Sequence, residues 1–265
     1  MPAKQARRST IRVRFSKFGK IRFTSHRDVA RIWERALRRA ELPIAYTEGF
    51  SPRPKLSFGL ALSTAYESHG EYLDVALREE GTGEIDVGGL PARLAPALPE
   101  GIEVQAVVDL PAGADSLQQA VTSCTWHIEV EVGRSTVGAG LDRALAASEL
   151  VVSRVRKGHT VVDDVRPAIL AAHVVGTVVG AVAGPVVGTV VGTKSGTTGT
   201  VIEAELATQP RGLRPAELIA ALDPTWDLAR VIRINQWTQV GGARREVIDL
   251  PSAATPPPHA KARAS

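Results

Sequence analysis

The run IRVRFSKFGKIRFTSHRDVARIWERALRRA occupies residues 11–40 and contains the change of period that decides the fold. Ile11, Val13 and Phe15 alternate with Arg12 and Arg14, the period of two of a half-buried strand. Phe18-Gly19-Lys20 predicts a turn, and Ile21-Arg22-Phe23 predicts further extended chain. Ser25 then has the chemistry of a helix N-cap, with Asp28 three residues on in the capping-box position. From there the period lengthens. Val29, Ile32, Trp33, Ala36, Leu37 and Ala40 recur at helical spacing and predict a core-facing stripe. Arg27, Arg31, Arg35 and Arg38 step down the opposite face, and Pro43 ends the helix.

Working outward, residues 47–55 read as a Gly/Pro-rich loop, and residues 56–62 and 71–77 as strands. Residues 85–98 predict a helix weakened by Gly88, Gly89 and Pro91, and residues 102–108 a fourth strand. Strand, helix, strand, strand, helix, strand is the order of a split βαβ unit. A second round follows. Residues 125–132 alternate as a strand, 141–148 suit a helix, and 150–155 with 160–162 form a hairpin around Lys157-Gly158. Residues 201–207 are a strand, Pro215 opens a helix to Leu222, and residues 230–237 are a final strand. The expected fold is therefore α+β, with two ferredoxin-like (split βαβ) domains in tandem. The expected boundaries are a disordered basic arm (1–9), a first domain (10–109), a linker (110–122), a second domain (123–250) and a disordered tail (251–265).

One tract departs from this layout. VVGTVVG at residues 174–180 recurs at 186–192, inside a stretch without Asp, Glu, Lys or Arg from 168 to 193. About 20 apolar residues can span a bilayer. Five glycines, the threonines and Pro185 stand here in place of the leucines and isoleucines that favour insertion. Residues 168–199 are expected to be a Val/Gly-rich insertion in the second domain, as a hairpin or low-complexity segment, with no membrane span.

Composition bounds the function. The 265 residues are 44% hydrophobic and 23% charged, which suits a globular core. The single cysteine, Cys124, excludes an intramolecular disulfide framework and a cysteine-held iron–sulfur cluster in this chain. With no continuous apolar run in residues 1–22, a cytoplasmic protein is expected. The net charge of +4 hides an asymmetry: residues 1–55 carry 15 Lys and Arg against 4 Asp and Glu, while the other 210 residues carry 17 against 24. A local block of +11 predicts an anionic partner on one face.

The run RFTSHRDVARIWERALRRAELPIAYTEGFSPRPKLSFGLAL, followed by ESHGEYLD, resembles the radical-SAM-linked protein family over residues 10–78. Weaker echoes occur at residues 161–167 and 212–217. Arg27 stands where that family usually has leucine, and Ser51 where asparagine is common. The resemblance implies a radical SAM protein as partner. The iron–sulfur cluster and S-adenosylmethionine would be on that partner, with no cofactor in this chain.

The candidate binding residues for RNA or that partner are Arg22, Ser25, His26, Arg27, Arg31, Arg35, Arg38 and Arg39, with Tyr46, Phe50, Arg53 and Lys55 in the following loop. Arginine forks suit phosphates and stack on bases, and aromatic side chains among cations are the mark of single-stranded nucleic-acid binders. The expected role is substrate recognition beside the radical SAM partner, through RNA. Two alternatives stand: a metal-independent endoribonuclease using His26, as in ferredoxin-like CRISPR repeat-processing enzymes, and a docking module that binds protein without RNA. His26, His69, Glu71 and Asp74 lack metal-ligand spacing, no phosphate loop is legible, and no metal is expected. Glu71 and Asp74 are expected to pair with arginines.

Overall fold

A computed structural model of the chain describes residues 9–78, 85–111, 113–156, 158–179 and 198–248. The alternating segment becomes β1 (Thr10–Lys17), a 3-10 turn follows at Gly19–Phe23, and the lengthened period becomes α1 (His26–Arg39). Ser25 caps α1 as its side chain accepts the Asp28 N–H at 3.3 Å. The helix stops before Pro43 acts. Leu42 N–H donates to Leu37 O and Glu41 N–H to Arg38 O, with Glu41 at φ 51, the geometry of a Schellman stop with a glutamate where glycine is usual. Val29, Trp33 and Leu37 of α1 pack on Ile11, Val13 and Phe15, each buried aliphatic contributing about 1.5–3 kcal/mol. Phe15 and Trp33 meet in a tilted contact, 4.8 Å between ring centres.

The chain continues through β2 (Leu56–Phe58), β3 (Glu67–Ala76), α2 (Leu90–Leu94) and β4 (Ile102–Leu110). α3 (Leu117–Ala120) leads into β5 (Val121–Val130) and α4 (Arg134–Ala146). The hairpin β6 (Val151–Arg156) and β7 (His159–Asp164) precedes β8 (Ile169–Val179), β9 (Thr198–Ala207), α5 (Pro215–Leu222), β10 (Leu228–Val240) and β11 (Ala243–Glu246). Nine strands form one sheet in the order β4-β1-β3-β10-β5-β9-β8, with β2 added to β3 and β11 to β10, while β6 and β7 form a separate ribbon. Of its pairings only β3 with β10 is parallel, at Glu67–Ile232 and Ser68–Arg233, and there the two halves of the chain meet. The class is mixed α+β: a large, mostly antiparallel sheet with few helices.

Several sequence expectations shift. The helix expected over residues 85–98 shrinks to α2 and a 3-10 turn at Ala95–Ala97, since Gly88 and Gly89 delay its start and the prolines shorten it. β5 begins four residues before the expected strand, directly after α3 in what read as linker. α4 starts at Arg134 rather than 141, and of the two glycines that hid it, Gly140 has a packing reason. A Cβ on Gly140 would lie 2.8 Å from the Trp226 ring. The first VVGTVVG copy is largely strand β8, hydrogen-bonded to β9, so the segment expected as insertion begins inside the sheet. The second copy, most of the arm (residues 1–8) and the tail lie outside the described residues. No helix among the described residues is long and apolar enough to cross a membrane.

The largest correction concerns β1. Its cations are not on a wet face: Arg12, Arg14 and Lys17 are 7%, 4% and 4% exposed. Arg12 forms a fork to Asp74 at 2.6 and 2.8 Å, and Arg14 pairs with Glu246, which the segment after β10 brings across the back of the first half. Tyr72, Leu117 and Ile248 fill the space around them. These partners are far away in sequence, so the alternation alone could not show that both faces are covered.

Candidate functional site

The predicted basic face of α1 is in the solvent. Arg27, Arg31, Arg35, Arg38 and Arg39 are all exposed, opposite buried Val29, Trp33, Ala36 and Leu37. Among the described residues one of these arginines has an ion-pair partner: Arg31 meets Asp28 at 3.1 Å, one turn back. Asp28 also accepts from the Ser25 hydroxyl at 2.7 Å. That hydrogen bond, helped by Arg31 and Arg35, holds its carboxyl below the usual range. Asp28 and Arg31 thus answer each other at the N-terminal turn, and the remaining arginines form a ridge available to an anion.

The loop after α1 is clipped at its base. Tyr46 bridges Pro54, Thr47 N–H donates to Arg53 O at 2.8 Å, and Arg53 N–H donates to Thr47 Oγ1 at 3.0 Å. Phe50 stands fully exposed at the tip, after Gly49 at φ 123, a conformation that favours glycine. Arg53 is exposed, Lys55 half-buried, and Tyr46 lies partly against the first core. The sequence-predicted residues therefore divide: the α1 arginines, Phe50 and Arg53 point to solvent, whereas Tyr46 mostly serves packing.

Arg22 is engaged at a junction. Its guanidinium reaches Glu67 Oε1 at 3.1 Å and lies over the exposed Phe23 ring at 4.7 Å. Glu67, 1% exposed, also accepts the Gly19 N–H at 2.9 Å and Arg230 Nε at 2.6 Å. This one carboxylate ties the turn before α1 to β10 of the second half. Asp74 and Glu71 do pair with arginines, but with Arg12 and Arg233 rather than with those of α1.

Sequence reasoning missed a cleft beside the N-terminus of α1. It is small and open-sided, with apolar walls from Phe15, Val29, Phe58 and Leu62 and polar groups from Lys17, Glu71 and His26. His26 sits at the rim with its ring edge-on to Phe58, 5.1 Å between centres. Lys17 is held below the ordinary lysine range by burial, with Glu71 opposing that effect and Arg233 adding to it. Arg233 comes from the other half of the chain. Its fork donates to Glu71 at 3.0 Å, Leu60 O at 2.9 Å and Ala61 O at 3.1 Å, while it lies 4.8 Å over Trp126. Contacts spanning more than 160 residues left no local signal. Lys17, breaking the strand's alternation just before a glycine turn, was the nearest hint.

Among the described residues no group of three or more His, Cys, Asp or Glu side chains is placed to hold a metal ion. Cys124 is buried in the second core, where burial pushes its thiol up to about 11. Residues 10–203 match the model of a family described as an uncharacterized protein conserved in bacteria (DUF2344). No curated protein matches the chain.

Proposed function

The chain belongs to the DUF2344 family, and on that premise we propose that it is a substrate-recognition protein that binds single-stranded RNA through the outer face of α1 and the loop after it. The observation that carries this reading is the ridge of Arg27, Arg31, Arg35 and Arg38 on a helix face where, among the described residues, Asp28 alone answers them, with fully exposed Phe50 on the next loop. An ordinary solvated face mixes both signs. Unanswered guanidinium groups suit a phosphate backbone, and an exposed aromatic ring suits base stacking. The family resemblance of residues 10–78 adds a radical SAM protein as the partner, which would hold the cluster and S-adenosylmethionine while this chain presents the RNA.

We read the architecture as two ferredoxin-like units in tandem. Its support is that each half, the β6–β7 ribbon aside, runs strand, helix, strand, strand, helix, strand and maps onto the sheet in the order fourth, first, third, second. The proposed boundaries remain residues 10–109 and 123–250.

The combined variant Arg31→Glu, Arg35→Glu and Arg38→Glu tests the assignment by fluorescence anisotropy with a labelled single-stranded RNA. Binding should fall more than about 100-fold, and neutral replacements should reduce the salt slope by about 0.7 for each phosphate no longer neutralised. Phe50→Ala should cost about 1–3 kcal/mol of binding with the fold untouched. Unchanged binding in the triple variant refutes the reading. His26, placed at the rim of a cleft with Lys17 and Glu71, favours metal-independent RNA cleavage as a second reading. RNA cleavage in EDTA that disappears in His26→Ala would establish it, and intact RNA would remove it.

A further inference from the structure

We propose that the cleft beside the N-terminus of α1 is a binding site for the phosphate group of a small ligand, with the Lys17 ammonium as its principal anchor. Lys17 lines the cleft yet is 4% exposed. Of its three N–H donors, one is used among the described residues, in a 3.3 Å bond to the Arg22 carbonyl. A cation taken out of water with donors unspent calls for an anionic acceptor. Glu71 does not fill that role, since its hydrogen bond goes to Arg233. Lys17 and Arg233 against Glu71 leave one net positive charge at the floor.

The rim adds to this. α1 has fourteen residues, and its first turn opens at His26 with the positive end of the helix dipole. The Asp28 N–H goes to Ser25, whereas the His26 and Arg27 N–H groups have no acceptor among the described residues. The wall at residues 60–61 is fixed by Arg233, so the site needs both halves of the chain. Only the backbone N–H of Arg27 is used here, its side chain belonging to the ridge, and the site does not depend on RNA binding.

Inorganic phosphate titrated into the full-length protein, against chloride at matched ionic strength, tests the site through amide NMR shifts and thermal unfolding. The expected result is saturable shifts at His26 and residues 59–62, with a higher melting temperature. Lys17→Met should remove both responses. His26→Asp, on the exposed rim, should weaken phosphate at least about tenfold by like charge, and it serves if Lys17→Met does not fold. The triple ridge variant should keep phosphate binding, which separates failure of this site from failure of the RNA reading. Absent saturation in the wild type, an unchanged phosphate affinity in His26→Asp, or an equal response to acetate would each overturn the proposal.

Discussion

Glu67 is where single-residue chemistry has the widest reach. A carboxylate 1% exposed accepts from Gly19, Arg22 and Arg230, and so fixes the turn before α1 to a strand over 160 residues away. Removing one member of such a group leaves the others without their acceptor. Glu67→Ala should cost about 3 kcal/mol in urea unfolding, and a cost near zero would mean the cluster contributes nothing. Cys124 gives a second check through pH. Its folded thiol is raised to about 11 from 9.0, so between those values the unfolded chain has lost a proton that the folded chain keeps. The slope of stability with pH is then negative for this group. Wild type should lose stability relative to Cys124→Ala from pH 9 towards 11, and the difference between them should be constant below pH 8. A constant difference across the whole range would show the thiol to be unshifted. Neither the Glu67 group nor the buried thiol was readable from neighbouring residues, because both depend on contacts made only by the folded sheet.

At the scale of elements, α1 was the most legible part of the chain. Its cap, its apolar stripe and its arginine face follow from a period of 3.6 and the chemistry of Ser25, and the structure places them so. Its end was misjudged. Glu41, rather than Pro43, makes the stop, in a left-handed conformation that a side chain resists. Glu41→Gly should therefore stabilise the protein by about 0.5–1 kcal/mol, measured as a shift in denaturation midpoint, and destabilisation would contradict the Schellman assignment. α2 and α4 were harder to read because glycine and proline weaken the local signal, and at Gly140 the glycine serves the approach of Trp226 rather than a break. β1 shows the opposite error: a clear period of two gave the strand correctly but not the burial of its cations. The ridge was legible because an exposed helix face answers to nothing else. The cleft was not, because Lys17, Glu71 and Arg233 converge from three strands.

At the scale of the whole molecule, the charge asymmetry acquires a more restricted meaning. Among the described residues, Arg12, Arg14 and Lys17 of the basic block are interior and Arg22 is paired, so its exposed cations are those of α1 and its loop, with Lys20 in the turn before them. The two halves share one sheet through the parallel β3–β10 pairing, reinforced by Glu67–Arg230, Glu71–Arg233 and Arg14–Glu246. Unfolding should accordingly be one cooperative transition, with labelling of buried Cys124 and circular dichroism reporting the same midpoint. Two separated midpoints would mean the halves unfold independently. The central claim concerns where RNA lies on this surface. Ultraviolet cross-linking of a single-stranded RNA to the full-length protein, mapped by mass spectrometry, reads that directly. The account predicts cross-links in the α1 peptide and at Phe50. Cross-links confined to the edge strand β8, or none at all, would contradict it.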